Sequence, residues 1–206
     1  MLFNSIEFII FFGVVYFLYW LVFKKNYRTQ NALILICSYF FYGWWDYRFL
    51  SLIILSTLTD YFIGIYLNKT NKDITRKILL FCSLILNLGL LAVFKYYNFF
   101  LDNFVEAFSF FGNPINPQGL NIILPVGISF YTFQSIGYTI DVYNKKIKPE
   151  KHFGIFALYV SFFPQLVAGP IERATSLIPQ FRKKIKFKYE NMSKGIRLVL
   201  WGFFLK

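Results

Sequence analysis

The sequence predicts an all-α, polytopic integral membrane protein, and three observations predict it. Hydrophobic residues make up 57% of the 206 residues and charged residues 16%, against about 45–50% and about 25% in an ordinary soluble domain. The apolar residues fall in runs of roughly bilayer-spanning length, not in short amphipathic stretches. The 22 Lys and Arg, against 10 Asp and Glu, sit in a few short segments between those runs, as cytoplasmic loops beside anionic lipid do. An aromatic content of 23% excludes a disordered chain. Cations confined to loops argue against a nucleic-acid partner.

The first run is Ser5 to Phe23. Its positive charges, Lys24, Lys25 and Arg28, follow it, the reverse of a secretory signal, so it reads as an uncleaved first helix with the N-terminus outside. The second run, Thr29 to Trp45, ends in the aromatic cluster Tyr42-Gly43-Trp44-Trp45, which suits a membrane–water interface. Asp46 and Arg48 mark a turn. The third run, Phe49 to Leu67, has 19 residues, about 28 Å of helix and enough to span. The polar stretch Asn68 to Lys77 follows, carrying Lys69, Lys72, Arg76 and Lys77. Two runs separate the basic loops at 24–28 and 68–77, so crossing count and charge rule both put them on one side.

Ile78 to Phe94 is the fourth run. Tyr96 to Phe111, broken by Asp102 and Glu106, reads as a continuation emerging on the outer side or lying along the interface. Gly112 to Gly119 is uncharged and holds Pro114 and Pro117, which suits an outside turn. Leu120 to Ile140 is the fifth run, with Pro125 in its first turns, where proline is tolerated. Asp141 to Lys151 carries Lys145, Lys146, Lys148 and Lys151 and reads as cytoplasmic.

The segment from His152 to Pro170 is apolar and without formal charge. It is followed by a second basic stretch, including Arg173, Arg182, Lys183, Lys184, Lys186 and Lys188. A single crossing would strand one basic loop outside. Pro164 and Gly169-Pro170 disfavour a continuous helix, so the segment is expected to re-enter and leave on the cytoplasmic side. Irregular backbone at membrane depth survives only when buried in protein or lining a wet cavity, which makes this segment the pointer to a functional cavity. Lys184 to Tyr189 alternates cation and apolar residue and reads as a surface stretch. The last run begins near Gly195 and ends at Lys206, too short to span. The chain is therefore expected to be one membrane domain over 1–206, incomplete at the C-terminus, with about five spans, a re-entrant segment and a truncated final helix.

Few residues carry chemistry. Asp60 lies in the middle of the third run, where an ionisable group is expensive and marks function or a helix-pairing role. Glu172 and Arg173 follow the Gly-Pro break, placed to pair with each other or to close the mouth of the re-entrant segment. His152 is the sole histidine and reads as interfacial and structural. Cys37 and Cys82 lie in apolar runs without metal-ligand spacing and read as buried thiols. No nucleophile–base pair is recognisable.

Two stretches say more. Leu124-Pro125-Val126-Gly127-Ile128-Ser129-Phe130-Tyr131-Thr132-Phe133-Gln134, continuing to Tyr143, and Ser161-Phe162-Phe163-Pro164-Gln165-Leu166-Val167-Ala168-Gly169-Pro170-Ile171-Glu172-Arg173-Ala174 resemble signature blocks of the membrane-bound O-acyltransferase family. The branch they resemble includes the alginate O-acetyltransferase subunit and the D-alanyl-lipoteichoic acid synthesis protein. Tyr39 to Tyr47, Thr59 to Gly64 and Phe94 to Phe99 fit the same branch.

That resemblance implies a multi-helix funnel in the bacterial inner membrane. It also implies transfer of an acyl group, acetyl or D-alanyl, from a cytoplasmic donor to a hydroxyl of an envelope polysaccharide, directly or through a partner acyltransferase. The donor would be a co-substrate, acetyl-CoA or an acylated carrier protein; no bound cofactor and no metal are expected. Asp60, Gln134, Asp141, Gln165, Glu172 and Arg173 would line or support the funnel. The family's catalytic histidine is expected beyond residue 206, so no catalytic residue is assigned within this chain. The rival readings are a transporter or channel, with Asp60 and the broken segment on a permeation path, and an inactive truncated family member.

Overall fold

The structure, a computed structural model, describes residues 3–23, 26–110, 125–166 and 169–205 and is all-helical over them. The uncharged loop expected over 112–119, the start of the fifth run and the lysines at 24 and 25 lie outside the described residues.

Side-chain caps start the first two helices and the turn before the third. Ser5 accepts a hydrogen bond from Phe8 N at 3.2 Å and opens α1, Ile6–Phe17, which runs on through a π-helical turn to Val22. Asn26 accepts from Arg28 N at 2.9 Å and caps α2, Tyr27–Gly43. Both are side-chain caps on otherwise orphaned helix N–H groups. Asp46 accepts from the backbone and guanidinium of Arg48, which holds its carboxyl below the usual range, and a short 3-10 turn, Tyr47–Phe49, leads into α3, Leu50–Lys69.

Helix α4, Asp73–Leu91, passes through a π-helical turn, Ala92–Tyr96, into α5, Tyr97–Phe110. The expected continuation thus follows directly on the fourth helix, which starts five residues before Ile78. No proline or glycine interrupts residues 90–110, so nothing in the sequence breaks the ladder there. Helix α6, Ile128–Tyr143, begins later than the fifth run. Pro125 precedes the helix, because Gly127 takes a left-handed φ of 77° at the N-cap.

Two helices, Tyr47–Lys69 and Asp73–Ala107, are long and apolar enough to cross a bilayer, and Ile6–Val22 and Phe153–Leu166 are shorter apolar stretches. Apolar side chains such as Ile78, Phe81 and Ile85 line the outer face of α4, each more than half exposed. A soluble protein rarely leaves so much apolar surface open, and the arrangement fits a membrane protein.

The centre of the bundle is the seam of α3, α4 and α6. Gly64 lets α3 approach α6, since a Cβ there would sit 3.1 Å from the Tyr138 ring. At one end of this seam Arg76, 7% exposed, donates to the carbonyls of Leu67 and Tyr143 and lies 5.4 Å from the Tyr143 ring. It thereby neutralises the C-terminal ends of both α3 and α6, where a cation is favourable.

The segment after α6 forms a hairpin. Helix α7, Phe153–Ser161, runs parallel to α2, and α8, Phe163–Leu166, makes the tip. Ser38 of α2 accepts from Phe163 N at 3.2 Å, and Leu166 reaches Gly127 at the far end of α6. Residues 169–173 return in non-helical form to α9, Ala174–Phe181. Asn31 donates to the Phe181 carbonyl at 2.6 Å, and Arg182 pairs with Glu150 at 2.6 Å. Both ends of 152–181 therefore lie at the end of the bundle where the described basic segments gather. The break expected at Pro164 and Gly169 is where the chain turns.

The last helix, α10, is Tyr189–Leu205, starting six residues before Gly195 because the polar residues 189–194 complete its first turns. Residues 182–190 are exposed, as expected of the alternating stretch, and Phe187 packs edge-on against Trp20 at 5.3 Å.

Gly127 gives a direct stability test. A Cβ there would lie 2.7 Å from the Leu166 carbonyl oxygen, at a backbone angle that disfavours L side chains. Gly127→Ala is expected to lower stability by about 2 kcal/mol or more, from roughly 1 for the angle and at least as much for displacing the hairpin tip. Thermal unfolding in detergent reads this, and an unchanged Tm refutes the tip contact.

Candidate functional site

Helix α6 places Gln134, Gly137 and Asp141 on one face, at spacings of three and four residues. The returning limb of the hairpin, Ile171–Ala174, lies across that face. Between them is a cavity of about 260 Å³, reached also by Tyr159 of α7 and Lys146 of the following loop. Four of the six residues singled out in the sequence thus come together: Gln134, Asp141, Glu172 and Arg173.

Tyr159 organises this cavity. Its hydroxyl donates toward the carbonyls of Gln134 and Glu172, at 3.4 and 3.2 Å, and its own carbonyl accepts from Gln134 Nε2 at 2.6 Å. One phenol and one amide therefore fasten α6, α7 and the returning limb to one another. Gln134 is 3% exposed, with its amide committed to this bond. It builds the wall, while Asp141, Glu172, Lys146 and Arg173 supply two carboxylates and two cations. The described residues show no ion pair between Glu172 and Arg173, which face the same space.

Gln165 is in the turn behind the cavity. Its Nε2 donates to the Pro170 carbonyl at 2.8 Å and its own carbonyl accepts from Gly169 N at 2.9 Å. A Cβ on Gly169 would meet Gln165 Cα at 2.6 Å, so glycine is required for the chain to reverse there. Gln165 supports the returning limb without lining the cavity.

Asp60 is elsewhere, fully buried in the α3–α4–α6 seam. Its carboxylate accepts from Ser83 Oγ, from Asn87 Nδ2 at 2.8 Å and from Thr139 Oγ1 at 3.1 Å. His152 is exposed. It sits at the start of α7, where its backbone N–H donates to Glu150 Oε1 at 3.0 Å, and its side chain borders a second cavity of about 250 Å³ with Arg28 and Asn31. It is absent from the first.

Sequence reasoning missed Tyr159, which lies inside an apolar run and carries no local signal. It also missed Glu150, 3% exposed, whose partner Arg182 is 32 residues away. The lining contains charge and hydrogen-bonding groups but no nucleophile–base pair. It can bind, orient and balance the charge of a ligand.

The chain is 33% identical over 235 residues to a protein of Helicobacter pylori named "Peptidoglycan O-acetyltransferase", which covers 100% of this chain and 44% of the relative. It is 36% identical to proteins named "Probable alginate O-acetylase AlgI" from Pseudomonas syringae and Pseudomonas putida, again over 100% of this chain and over 39% and 42% of theirs. The chain thus spans about two-fifths of the length of these curated relatives. No family model matches it, and no solved structure does. With its whole length aligned to named O-acetyltransferases, and residues 133–141 and 171–174 of the two motif blocks lining one cavity, the chain belongs to the membrane-bound O-acyltransferase family.

Proposed function

We propose that this chain forms part of an inner-membrane enzyme that moves an acetyl group from an intracellular acyl thioester, acetyl-CoA or an acylated carrier protein, to a hydroxyl of an envelope polysaccharide. In that step the hydroxyl oxygen bonds to the acyl carbon, the carbon–sulfur bond breaks, and the hydroxyl proton ends on the departing thiolate. The observation that carries the reading is the cavity between α6 and the returning limb, in a chain aligned throughout to named O-acetyltransferases.

On this reading the basic end faces the cytoplasm, the N-terminus lies outside and residues 152–181 re-enter the membrane among about five spans. The non-helical limb then borders the cavity at Ile171, Glu172 and Arg173, the kind of setting that irregular backbone at that depth requires. Arg173 and Lys146 attract the phosphates of a coenzyme or the acidic surface of a carrier. Asp141 and Glu172 line the same cavity and offset part of that positive charge.

Deleting the gene is expected to remove alkali-releasable acetate from the envelope polysaccharide, and the wild-type gene to restore it. Arg173→Ala, at equal protein level, is expected to restore at most about a tenth, the loss of one charge-assisted contact of about 1.5–3 kcal/mol. Unchanged acetate after deletion would overturn the assignment.

A further inference from the structure

We infer that the α3–α4–α6 seam holds a binding site for one monovalent metal cation, sodium, with Asp60 as its charged ligand. Asp60 has no exposed surface. Every side chain that bonds to it or stands beside it among the described residues is neutral: Ser83, Asn87 and Thr139, with Ser135 next to them. No basic side chain among the described residues bonds or pairs with it. A carboxylate this deep needs a positive charge, because hydrogen bonds from neutral groups do not replace the hydration it loses.

A second observation points to a ligand. Ser135 lies one turn from Thr139 on α6, stands beside the same carboxylate and is fully buried, yet its Oγ comes within hydrogen-bond distance of no partner. Buried hydroxyls are rarely left so. Asn87 fixes the arrangement from behind: its Nδ2 holds Asp60 Oδ2, and its Oδ1 accepts from Ser56 Oγ at 2.6 Å. That leaves Asp60 Oδ1 with the hydroxyls of Ser83 and Thr139 bonded to it and that of Ser135 beside it, each hydroxyl oxygen with lone pairs to spare.

The chemistry of the set selects the ion. All four atoms are hard oxygens, with no imidazole or thiolate, which excludes ions that prefer nitrogen or sulfur. A single negative charge is too little for a divalent ion, which takes six or more oxygens and usually several carboxylates. The remaining titratable neighbour is Tyr138 of α6, a phenol whose oxygen accepts from Glu150 N at 2.9 Å and which supplies no positive charge. A bound cation would join three helices of the bundle by a single contact, and linkage makes that visible as stability.

The test is thermal unfolding of the protein in detergent micelles, in sodium chloride against choline chloride at equal ionic strength. Wild type is expected to gain several degrees in Tm in sodium, saturating with concentration. Ser135→Ala removes the hydroxyl held least tightly by the protein, so it folds; its sodium response is expected to move at least tenfold higher in concentration. Asp60→Asn is expected to lose the response. Equal Tm in both salts for wild type would overturn the site, and so would a stability that changes with pH alone, since a proton would then supply the charge. If Asp60→Asn does not fold, Ser135→Ala decides: an unshifted response there also overturns the proposal.

Discussion

Asp60→Ala is expected to destabilise the protein by about 2–3 kcal/mol. The substitution removes the acceptor shared by Ser83, Asn87 and Thr139, and each buried donor left unpaired costs about 1–3 kcal/mol. The simple sum overshoots, for a reason visible in the same bundle. Thr57 and Ser161 already turn their hydroxyls back to the carbonyls of Ile53 and Ala157, at 2.6 and 2.8 Å, and Ser83 and Thr139 can do likewise within their own helices. Asn87 keeps a bond to the Ser83 carbonyl at 3.0 Å. Interhelical hydrogen bonds in membranes also average less than 1 kcal/mol when isolated. What is not recovered is the tie between α3 and the other two helices. Denaturant unfolding in micelles measures it, and a variant as stable as wild type would show that the carboxylate holds nothing together.

Some of this was legible in sequence, and the reason differs by element. Asp60 stood out because a charge amid apolar residues is costly wherever the helix packs, so the signal is local. The hairpin was legible from two conflicting constraints, basic loops on either side of an apolar segment and a Pro and a Gly within it. Gln134 and Asp141 came only from motif resemblance, while Glu172 and Arg173 were also marked by the Gly-Pro break before them. Nothing in composition or spacing links positions 134 and 172, which meet because Tyr159 bonds both carbonyls. Helix boundaries were read less well. Hydropathy stops where charge begins, but α4 and α10 extend through polar first turns, whose exposed side chains cost a helix little. Pro125 was placed inside the fifth helix because proline suits a first turn; the left-handed Gly127 that starts the helix after it has no hydropathy signature. The link between Glu150 and Arg182 was invisible, since each is an ordinary loop charge until the hairpin closes.

That link gives the second large effect, and it is asymmetric. Glu150's side chain is 1% exposed and Arg182's is 52%. The two form a forked pair, with guanidinium nitrogens at 2.6, 2.8 and 3.2 Å from the carboxylate oxygens. Arg182→Ala leaves a carboxylate buried without its counter-charge, which costs about 3–5 kcal/mol at a fully buried pair; solvent at the open side of Arg182 brings this to about 2–3. Glu150→Gln leaves an arginine that water can reach, and the amide oxygen can still accept from His152 N, so about 1 kcal/mol is expected. The double variant should then be more stable than Arg182→Ala alone, because neutralising Glu150 removes the stranded charge. The order wild type, Glu150→Gln, double variant, Arg182→Ala in Tm is the measurement. If Arg182→Ala proves the milder single change, the pair does not anchor the hairpin. The same series reads the cavity: α9 begins at Ala174, directly after Arg173, so releasing its far end at Arg182 loosens the limb that carries Glu172 and Arg173. On the proposed function, acetyl transfer by the full-length protein should fall in the same order as Tm, and Glu150→Gln should keep most of it.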